Sequence, residues 1–343
     1  MRISDRSNLL VKVYVIGYSE KGESILICLT DKGENDRLIY SIVIDSFKYK
    51  GEHKTIELLN DYGIKEKKLN MLVWSHPDLD HTFGIDQILN FYCNEDTCVV
   101  LPYDVNGEAW NKVNYNKNDK DIIKKILDLT KRKFKSHETA SVFDTVYQPM
   151  RILTLEDGVG KLKISLHALT PHSSRINYFL ETHTIMGKND LSIAVMMEIG
   201  NRDTSKFLFM ADAVNDEIDM LYPEALLDPL FIKIPHHSSD TSDHMPDKLT
   251  FSEDTNPLAC TTIFKSQCLP EEDVLRKYVD KFSQVDCTGT SKAKRTNYGY
   301  VEYCFDLYDK QLVEVCHHGH AHIVNEEGLK KLSRMIPKKK NKN

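Results

Sequence analysis

The segment 74–84, Trp-Ser-His-Pro-Asp-Leu-Asp-His-Thr-Phe-Gly, limits what this chain can fold into more than any other part of the sequence. It follows an apolar run, 69–74, that is typical of a buried strand, and it precedes a run, 85–91, whose apolar residues have helical spacing. The segment is therefore predicted to form a loop at the C-terminal end of a strand, where α/β folds place their chemistry. Four side chains that can bind metal fall within six residues of this loop: His76, Asp78, Asp80 and His81.

The spacing of these side chains favours a metal centre over a solvated loop. In an extended segment His76, Asp78 and Asp80 project from one side, whereas His81 turns to the other. One short loop can therefore serve two metal ions. Imidazole nitrogens and carboxylate oxygens suit Zn, Mn or Fe, and the second carboxylate shifts the preference towards harder ions.

The segment 75–84 resembles a metal-binding motif of the metallo-β-lactamase superfamily. The superfamily carries His-x-His-x-Asp-His here, and this chain has the variant His-x-Asp-x-Asp-His, with Asp78 in place of the second histidine. It is most similar to the soluble hydrolase domain of bacterial DNA-uptake (competence) channel proteins and their free-standing relatives. The resemblance implies an αββα sandwich of two mixed β-sheets flanked by helices, whereas periodicity alone predicts only an α/β or α+β fold.

Two further loops match positions at which the superfamily binds metal. Within 170–174, Thr-Pro-His-Ser-Ser, His172 corresponds to a metal-binding histidine, and the alternative is a histidine that caps a turn. Asp212 follows a strand predicted over 206–210 and corresponds to a carboxylate that bridges two metal ions. It could instead cap a helix predicted over 215–221. The order of the motifs along the chain favours the bridging role.

Residues 235–239, Pro-His-His-Ser-Ser, resemble the Pro-His-His-Gly-Ser motif of the same branch. The resemblance implies that His237 closes the second metal site, because nuclease relatives place the ligand two residues before this serine, Ser239. His236 and Ser239 would then support the site or face the substrate. If strand geometry continued into this loop, the two adjacent histidines would point to opposite sides.

Two other residues are candidates for supporting roles around the metal centre. Asp45 ends a strand predicted over 39–46, where the superfamily usually has Asp-Gly-Gly. Lys233 precedes the histidine pair and could meet a substrate phosphate, as could Lys265 and the lysines of a helix predicted over 117–135. Lysines on such a helix are more often a solvated face.

The resemblance implies a centre of two divalent ions, Zn or Mn, with Asp80 and Asp212 as catalytic residues. Such a pair lowers the pKa of water towards neutrality and neutralises charge on a phosphoryl or acyl oxygen. Asp212 would bridge the ions, and Asp80 could also orient the water. Two groups of residues would hold the ions: His76, Asp78 and His172 for one, and Asp80, His81 and His237 for the other.

Three functions are compatible with such a centre. We favour a phosphodiesterase or nuclease that acts on nucleic acid or a nucleotide, because the resemblance is to a DNA-degrading branch. The same centre could hydrolyse a lactone, ester or thioester. A chain that binds metal weakly could instead be an interaction module in a larger assembly. Each of these three functions is compatible with a chain that forms a homodimer or binds a partner protein.

The 343 residues are 41% hydrophobic and 28% charged, which is typical of a globular protein. We predict a hydrolase domain over 1–315 with a helical insertion at about 103–145, followed by a His-rich segment and basic tail over 316–343. The four histidines of 317–322 could form a third metal site, a phosphate-binding wall or a solvent-facing edge strand. The tail 338–342 is predicted to be disordered.

Charge, cysteines and hydropathy favour a cytoplasmic protein without membrane contact. The net charge of -6 argues against a general nucleic-acid coat protein, although it leaves room for a local basic groove. No apolar run approaches the roughly 20 residues that span a bilayer, and no signal-peptide core follows the N-terminus. The eight cysteines include no Cys-x-x-Cys pair, which is typical of buried, reduced thiols.

Overall fold

The structure is a computed structural model. It describes residues 5–18, 20–64, 69–103, 105, 117–134, 138–139, 149–156, 160–182, 187, 189–201, 204–290, 298–326 and 328–329. Parts of the predicted insertion and the whole basic tail lie outside the described residues. The strands are β1 Leu9–Tyr18, β2 Glu23–Asp31, β3 Arg37–Ile44, β4 Met71–Val73, β5 Cys98–Leu101, β6 Glu138–Thr139, β7 Pro149–Glu156, β8 Lys161–Ala168, β9 Val195–Ile199, β10 Ser205–Phe209, β11 Pro229–Lys233, β12 Leu258–Thr261, β13 Gln284–Cys287, β14 Tyr298–Asp306, β15 Gln311–Gly319 and β16 His322–Ile323. The helices are α1 Lys54–Asp61, α2 Leu79–Thr82, α3 Ile85–Phe91, α4 Lys117–Lys133, α5 Ser173–Thr182, α6 Asn215–Ile218, α7 Met245–Lys248 and α8 Glu272–Val279.

The strands form two mixed sheets. The first has the order β15-β14-β1-β2-β3-β4-β5-β6, and the second has the order β16-β13-β12-β11-β10-β9-β8-β7. In the first sheet β3 to β6 run parallel to one another, whereas β15, β14, β1, β2 and β3 pair antiparallel. In the second sheet β10 to β13 run parallel, and the outer strands on both sides pair antiparallel.

The side chains of β1 show why the sheets pack as they do. Leu9, Val11 and Val13 lie in an apolar core that also contains residues of the second sheet. Tyr14 and Ile16, which point to the opposite face, lie in a core with the helices outside the first sheet. Successive side chains of a strand point to opposite faces of the sheet, and in β1 both faces are buried.

Three apolar cores separate four layers. One lies between the two sheets. A second lies between the first sheet and helices α1, α3, α4 and α5. A third joins the second sheet to α6, α7 and α8. The order helix, sheet, sheet, helix confirms the predicted αββα sandwich.

The described helix of the predicted insertion, α4, packs against α3 and α2. Two of its lysines hold it there, because Lys125 pairs with Asp86 at 2.5 Å and Lys133 donates to the carbonyl oxygens of Leu89 and Asn90. Among the described helices none is long and apolar enough to cross a bilayer. All eight cysteines are free thiols.

Loops from both sheets meet at one edge of the sandwich. In the first sheet, the motif 75–84 follows β4 and Asp45 follows β3. In the second sheet, Asp212 follows β10 and the histidine pair follows β11. The backbone N–H of Ile193, just before β9, donates to the carbonyl oxygen of Ser75 at 3.0 Å and so ties the two sets of loops together.

Candidate metal centre

Asp45 organises the loop that follows β4. Its Oδ1 accepts the backbone N–H of Ser75 at 2.7 Å, and its Oδ2 accepts the Ser75 hydroxyl at 2.5 Å. The same Oδ2 lies 2.8 Å from His81 Nδ1. Asp45 adopts a positive φ of 58°, which few residues other than glycine adopt. The position that the sequence analysis gave to a supporting residue thus contacts the start and the end of the motif.

Three buried imidazoles are each held at Nδ1. His81 Nδ1 bonds Asp45, which can only accept. His76 Nδ1 lies 2.9 Å from the hydroxyl of Ser75, which gives its own hydrogen to Asp45 and therefore accepts from the ring. His237 Nδ1 lies 2.6 Å from the hydroxyl of Thr262. With the proton at Nδ1, each ring presents the lone pair of Nε2 to the centre.

Two carboxylates face these Nε2 atoms. Asp212 Oδ1 lies 3.3 Å from His81 Nε2 and 3.8 Å from His237 Nε2, and Asp212 Oδ2 lies 3.8 Å from His76 Nε2. Asp80 Oδ2 lies 3.6 Å from His237 Nε2 and 4.0 Å from His81 Nε2. Asp212 therefore lies between the histidine of one predicted ion and the histidines of the other.

The unsatisfied atoms of this cluster test whether metal fits. Within the described part of the chain, Nε2 of His76, His81 and His237 and Oδ1 of Asp212 are buried without a hydrogen-bond partner. Buried polar atoms are rarely left unpaired, and such exceptions call for an explanation such as an ion. Imidazole nitrogens with carboxylates are the donor set that Zn and Mn accept. The residues therefore fit a divalent metal ion.

The charges of the cluster also favour a cation. Burial raises the pKa of Asp212, but His81, His237 and His236 outweigh this effect and hold it well below its ordinary value. Burial also raises the pKa of Asp80, but His237 and His81 outweigh this effect and hold it well below its ordinary value. Burial and the neighbouring His81 ring lower the pKa of His76, which keeps that imidazole neutral. Burial also lowers the pKa of His81, but Asp212 and Asp45 raise it well above its ordinary value, so a metal ion bound at His81 Nε2 would take the place of a proton there.

The histidine pair departs from the geometry expected from the sequence. His236, His237 and Ser238 have φ values of 45°, 51° and 62°, so the chain leaves the strand in a left-handed turn. The expectation that the two rings point to opposite sides is therefore wrong: His236 Nε2 lies 3.9 Å from Asp212 Oδ2, and both rings face this carboxylate. Three successive non-glycine residues in this region are costly, by about 1–3 kcal/mol each, and such strain is concentrated at functional sites.

The two rings nevertheless have different surroundings. His237 is fully buried, whereas the side chain of His236 is 20% exposed. His236 Nε2 lies 2.9 Å from Asn189 Nδ2, and its Nδ1 lies 2.7 Å from the Thr241 hydroxyl. Burial lowers the pKa of His236. His236 therefore lies at the wall of the site, and His237 lies in its floor.

His172 has hydrogen-bond partners at the start of α5 and in α6. Its backbone N–H donates to Glu217 at 3.0 Å, and its Nδ1 lies 2.7 Å from the Ser174 hydroxyl at the start of α5. Two groups of potential metal ligands occur among the described residues, and neither contains His172: they are Glu23, His81, Asp212 and His237, and Asp45, His76 and His81. Its assignment as a ligand stays a prediction.

A cavity of about 680 Å³ opens above the cluster. Asp78, which starts α2, lines it together with Asp80, Asp212 and His236, and so does Ser239. The Ser239 hydroxyl donates to Asp240 at 3.1 Å and accepts the backbone N–H of Thr241 at 3.4 Å. Among the described residues acidic groups dominate the ionisable lining, with a single lysine, Lys21, against six aspartates: Asp78, Asp80, Asp119, Asp190, Asp212 and Asp240.

Lys233 takes no part in this lining. It is fully buried at the end of β11 and pairs with Glu23, which opens β2 in the other sheet. A contact with substrate phosphate is thereby excluded, whereas a supporting position is compatible with the structure. Neither Glu23 nor Thr262 was predicted from the sequence to lie near the site. A lysine in an apolar strand was a signal that a buried counter-charge existed elsewhere, but its position in the chain could not be read from that signal.

Comparison with solved structures shows that this chain is similar to metallo-β-lactamases. Rm3 metallo-β-lactamase is similar over 69% of this chain and 81% of its own, with 12% identity and a TM-score of 0.34. Metallo-β-lactamase SMB-1 bound to 2-mercaptoethanesulfonate is similar over 68% of this chain and 84% of its own, with 13% identity and a TM-score of 0.34. No protein-family model matches the chain, and no curated protein matches it.

Proposed function

We propose that this chain is a metal-dependent hydrolase that cleaves a phosphodiester with two divalent ions, Zn or Mn. The observation that carries the proposal is the convergence of three buried, unpaired Nε2 atoms on the two carboxylates Asp80 and Asp212 at the floor of one cavity. Ions of this kind lower the pKa of water towards neutrality and neutralise charge that develops on a substrate oxygen.

The residues of the chain would divide the work. Asp80, His81 and His237 would hold one ion, and His76 would hold the other with Asp78 and His172, as the resemblance implies. Asp212 would bridge them, because its two oxygens face different histidines. Asp80 borders the cavity and its pKa is held low, so its Oδ2 can accept a hydrogen bond from the attacking water and orient it.

The size and charge of the cavity bear on the substrate. At about 680 Å³ it lies in the range of sites for small molecules, about 300–1,000 Å³. Among the described residues of the lining, Lys21 is the one lysine, and two lysines of α4, Lys125 and Lys133, are engaged with α3. A groove for long nucleic acid would need many basic contacts. We therefore favour a nucleotide-sized phosphodiester over a polymer.

The same acidic lining supports a second candidate. The six aspartates among the described lining residues repel a substrate that carries negative charge, whereas an uncharged lactone, ester or thioester would enter without that penalty. The centre can polarise an acyl oxygen as readily as a phosphoryl oxygen. The two candidates differ in the charge of the substrate, and assays can separate them.

The test is a matched panel on protein reconstituted with Zn²⁺ or with Mn²⁺. The substrates are bis(p-nitrophenyl) phosphate, a dinucleotide, single-stranded DNA, an acyl lactone and an aryl thioester. The proposal predicts turnover of the first two, slower cleavage of DNA, and loss of turnover in Asp80→Asn. Turnover confined to the lactone or thioester would overturn it in favour of the second candidate.

Metal content separates both enzyme candidates from an interaction module. The same samples should contain up to two ions per chain by elemental mass spectrometry. If reconstituted protein holds no ion and turns over no substrate, the chain is not a metal-dependent hydrolase.

A further inference from the structure

A buried ion pair links the two sheets next to the candidate centre. Lys233 ends β11 in the second sheet, and its Nζ contacts Oε2 of Glu23, the first residue of β2 in the first sheet. Relative exposure is 0% for Lys233 and 1% for Glu23. Burial of two charges is costly, and replacement of such a pair by apolar residues is often neutral or stabilising. Stability alone is therefore a weak reason for this pair.

The pair reaches a predicted metal ligand through one hydroxyl. Thr262, which follows β12, donates its hydroxyl hydrogen to Glu23 Oε2 at 2.8 Å. The same hydroxyl lies 2.6 Å from His237 Nδ1. A hydroxyl has only one hydrogen, and the carboxylate has none to give. The bond from His237 must therefore run from Nδ1–H to the Thr262 oxygen, which leaves the Nε2 lone pair facing Asp80 and Asp212.

The other two buried imidazoles, His81 and His76, are also hydrogen-bonded at Nδ1. His81 donates directly to Asp45, and His76 donates to Ser75, which donates to Asp45. A carboxylate in or next to the first sheet therefore lies behind Nδ1 of every ring in the floor, Asp45 for two of them and Glu23 for the third, and His76 Nδ1 also lies 3.2 Å from the Ser192 hydroxyl. A hydrogen-bonded carboxylate behind a metal-binding histidine fixes the ring and raises its basicity.

We propose that Glu23 is a positioning residue that acts through Thr262 to hold His237 in the Nδ1–H tautomer, and that Lys233 holds Glu23 in place. The inference rests on the proposed function insofar as His237 binds an ion there. It extends that function with three residues from separate elements, none of which lines the cavity.

An alternative role for Glu23 gives a different prediction. One of its oxygens lies within 4.8 Å of ligand atoms of His81, Asp212 and His237, so it could bind the ion itself. A direct ligand would not depend on the Thr262 hydroxyl. A positioning residue acts only through that hydroxyl.

The test uses two variants of Thr262. Thr262→Val keeps the shape and removes the hydroxyl, whereas Thr262→Ser keeps the hydroxyl. We expect Thr262→Val to lower the affinity for the second Zn²⁺ by about 10–100-fold in chelator competition, and Thr262→Ser to stay within a few-fold of the parent. Circular dichroism checks that both variants are folded.

A second readout does not need metal. Long-range ¹H–¹⁵N spectra of the imidazoles, recorded after metal removal, should show His237 as the Nδ1–H tautomer in the parent and in Thr262→Ser. Thr262→Val should show a mixture of tautomers. If the parent binds no metal, the proposed function fails, but the tautomer result still decides the positioning role.

Glu23 is tested together with its partner, because a lone buried lysine could unfold the chain. The double variant Glu23→Gln/Lys233→Met should lose affinity for the second Zn²⁺ to the same extent as Thr262→Val. The proposal is wrong if Thr262→Val has the same affinity for the second Zn²⁺ and the same His237 tautomer as the parent. A large loss in the double variant with none in Thr262→Val would also overturn it and identify Glu23 as a ligand.

Discussion

Two clusters of histidines in this chain differ in how their side chains are arranged around other potential metal ligands. In the floor of the cavity, the three floor histidines (His76, His81 and His237) turn their Nε2 atoms towards one carboxylate, Asp212. Near the C-terminus, four histidines fall within six residues, yet no group of potential metal ligands among the described residues includes them. Local density of histidine is therefore a weaker predictor of a metal site than the convergence of loops from several strands.

The C-terminal histidines (His317, His318, His320 and His322) have partners that separate them. His317 Nε2 lies 2.7 Å from Asp286 Oδ1, and His318 stacks on Tyr300 with ring centroids 4.2 Å apart. The two rings alternate along β15, the edge strand of the first sheet, but they contact protein side chains rather than facing solvent alone, and His320 and His322 lie beyond the end of this strand. The strand runs through the boundary predicted between residues 315 and 316.

The largest expected effect is that of Asp212→Ala. Because Asp212 faces all three floor histidines, its loss should remove both ions and reduce turnover below detection. His172→Ala should lose far less activity than Asp212→Ala, since His172 would contact one ion at most and has hydrogen-bond partners in Ser174 and Glu217. Metal content and turnover are measured side by side. Equal, mild effects in the two variants would show that Asp212 only caps the following helix.

The adjacent histidines provide the next test. His237 lies in the floor and His236 in the wall, so His237→Ala should lose one ion and nearly all turnover. His236→Ala should keep both ions, with a rate reduced by about 10–100-fold. Elemental analysis of the two variants shows which of the two histidines binds an ion. Loss of an ion from His236→Ala instead would reverse the assignment.

A carboxyl beside His172 predicts a pH effect outside both clusters. Burial raises the pKa of Glu217 to about 7. Because the folded protein binds this proton more tightly than the unfolded chain, the stabilisation is full below about pH 4.5 and is lost as the pH rises through about 7. The Glu217→Gln variant lacks this titration. The free energy of unfolding of the parent, relative to the variant, should fall by up to roughly 3 kcal/mol between pH 4.5 and pH 8.

Urea unfolding of both proteins in the presence of a chelator measures this difference. A difference between parent and variant that is independent of pH would show that folding leaves the pKa of Glu217 unchanged.

The smallest effects are expected in the C-terminal cluster. His317→Ala removes one partner of the buried Asp286, which Tyr303 and Gln284 still contact, so unfolding should become easier by about 1–3 kcal/mol. His318→Ala loses a stacking contact at a half-exposed position and should cost about 0.5–1.5 kcal/mol. Metal content should not change in either variant. Loss of an ion from His317→Ala would remove the contrast between the two clusters.

Local patterns predicted much of the fold. The strand at 9–18 and the helix at 85–91 have the predicted ends, because each combines a clear period with a clear boundary. Helix α5 and strand β13 were missed. Strand β13 is four residues long and carries Asp286, which is buried only because His317 and Tyr303 reach it from the other sheet. Such compensation is invisible in the sequence of the strand itself.

The site was predictable where a motif is contiguous, and less so where it is assembled at long range. The loops carrying His76, Asp80 and Asp212 follow strands as predicted. The left-handed turn at His236 and the role of Glu23 were not predictable. The first depends on a backbone conformation that histidine rarely adopts, and the second depends on a partner more than 200 residues away, Thr262.

The hydrogen bond from Ile193 to Ser75 and the pair of Glu23 with Lys233 have a thermodynamic consequence. Both join the two sheets, and the floor histidines also come from both, so the sheets cannot part without destroying the ion-binding geometry. Ions that bind only the closed sandwich stabilise it by mass action, by about 2.7 kcal/mol at a free concentration of 100 times Kd. The melting temperature should therefore rise with the logarithm of free Zn²⁺, and the chain would be most vulnerable to proteolysis when the ion is scarce.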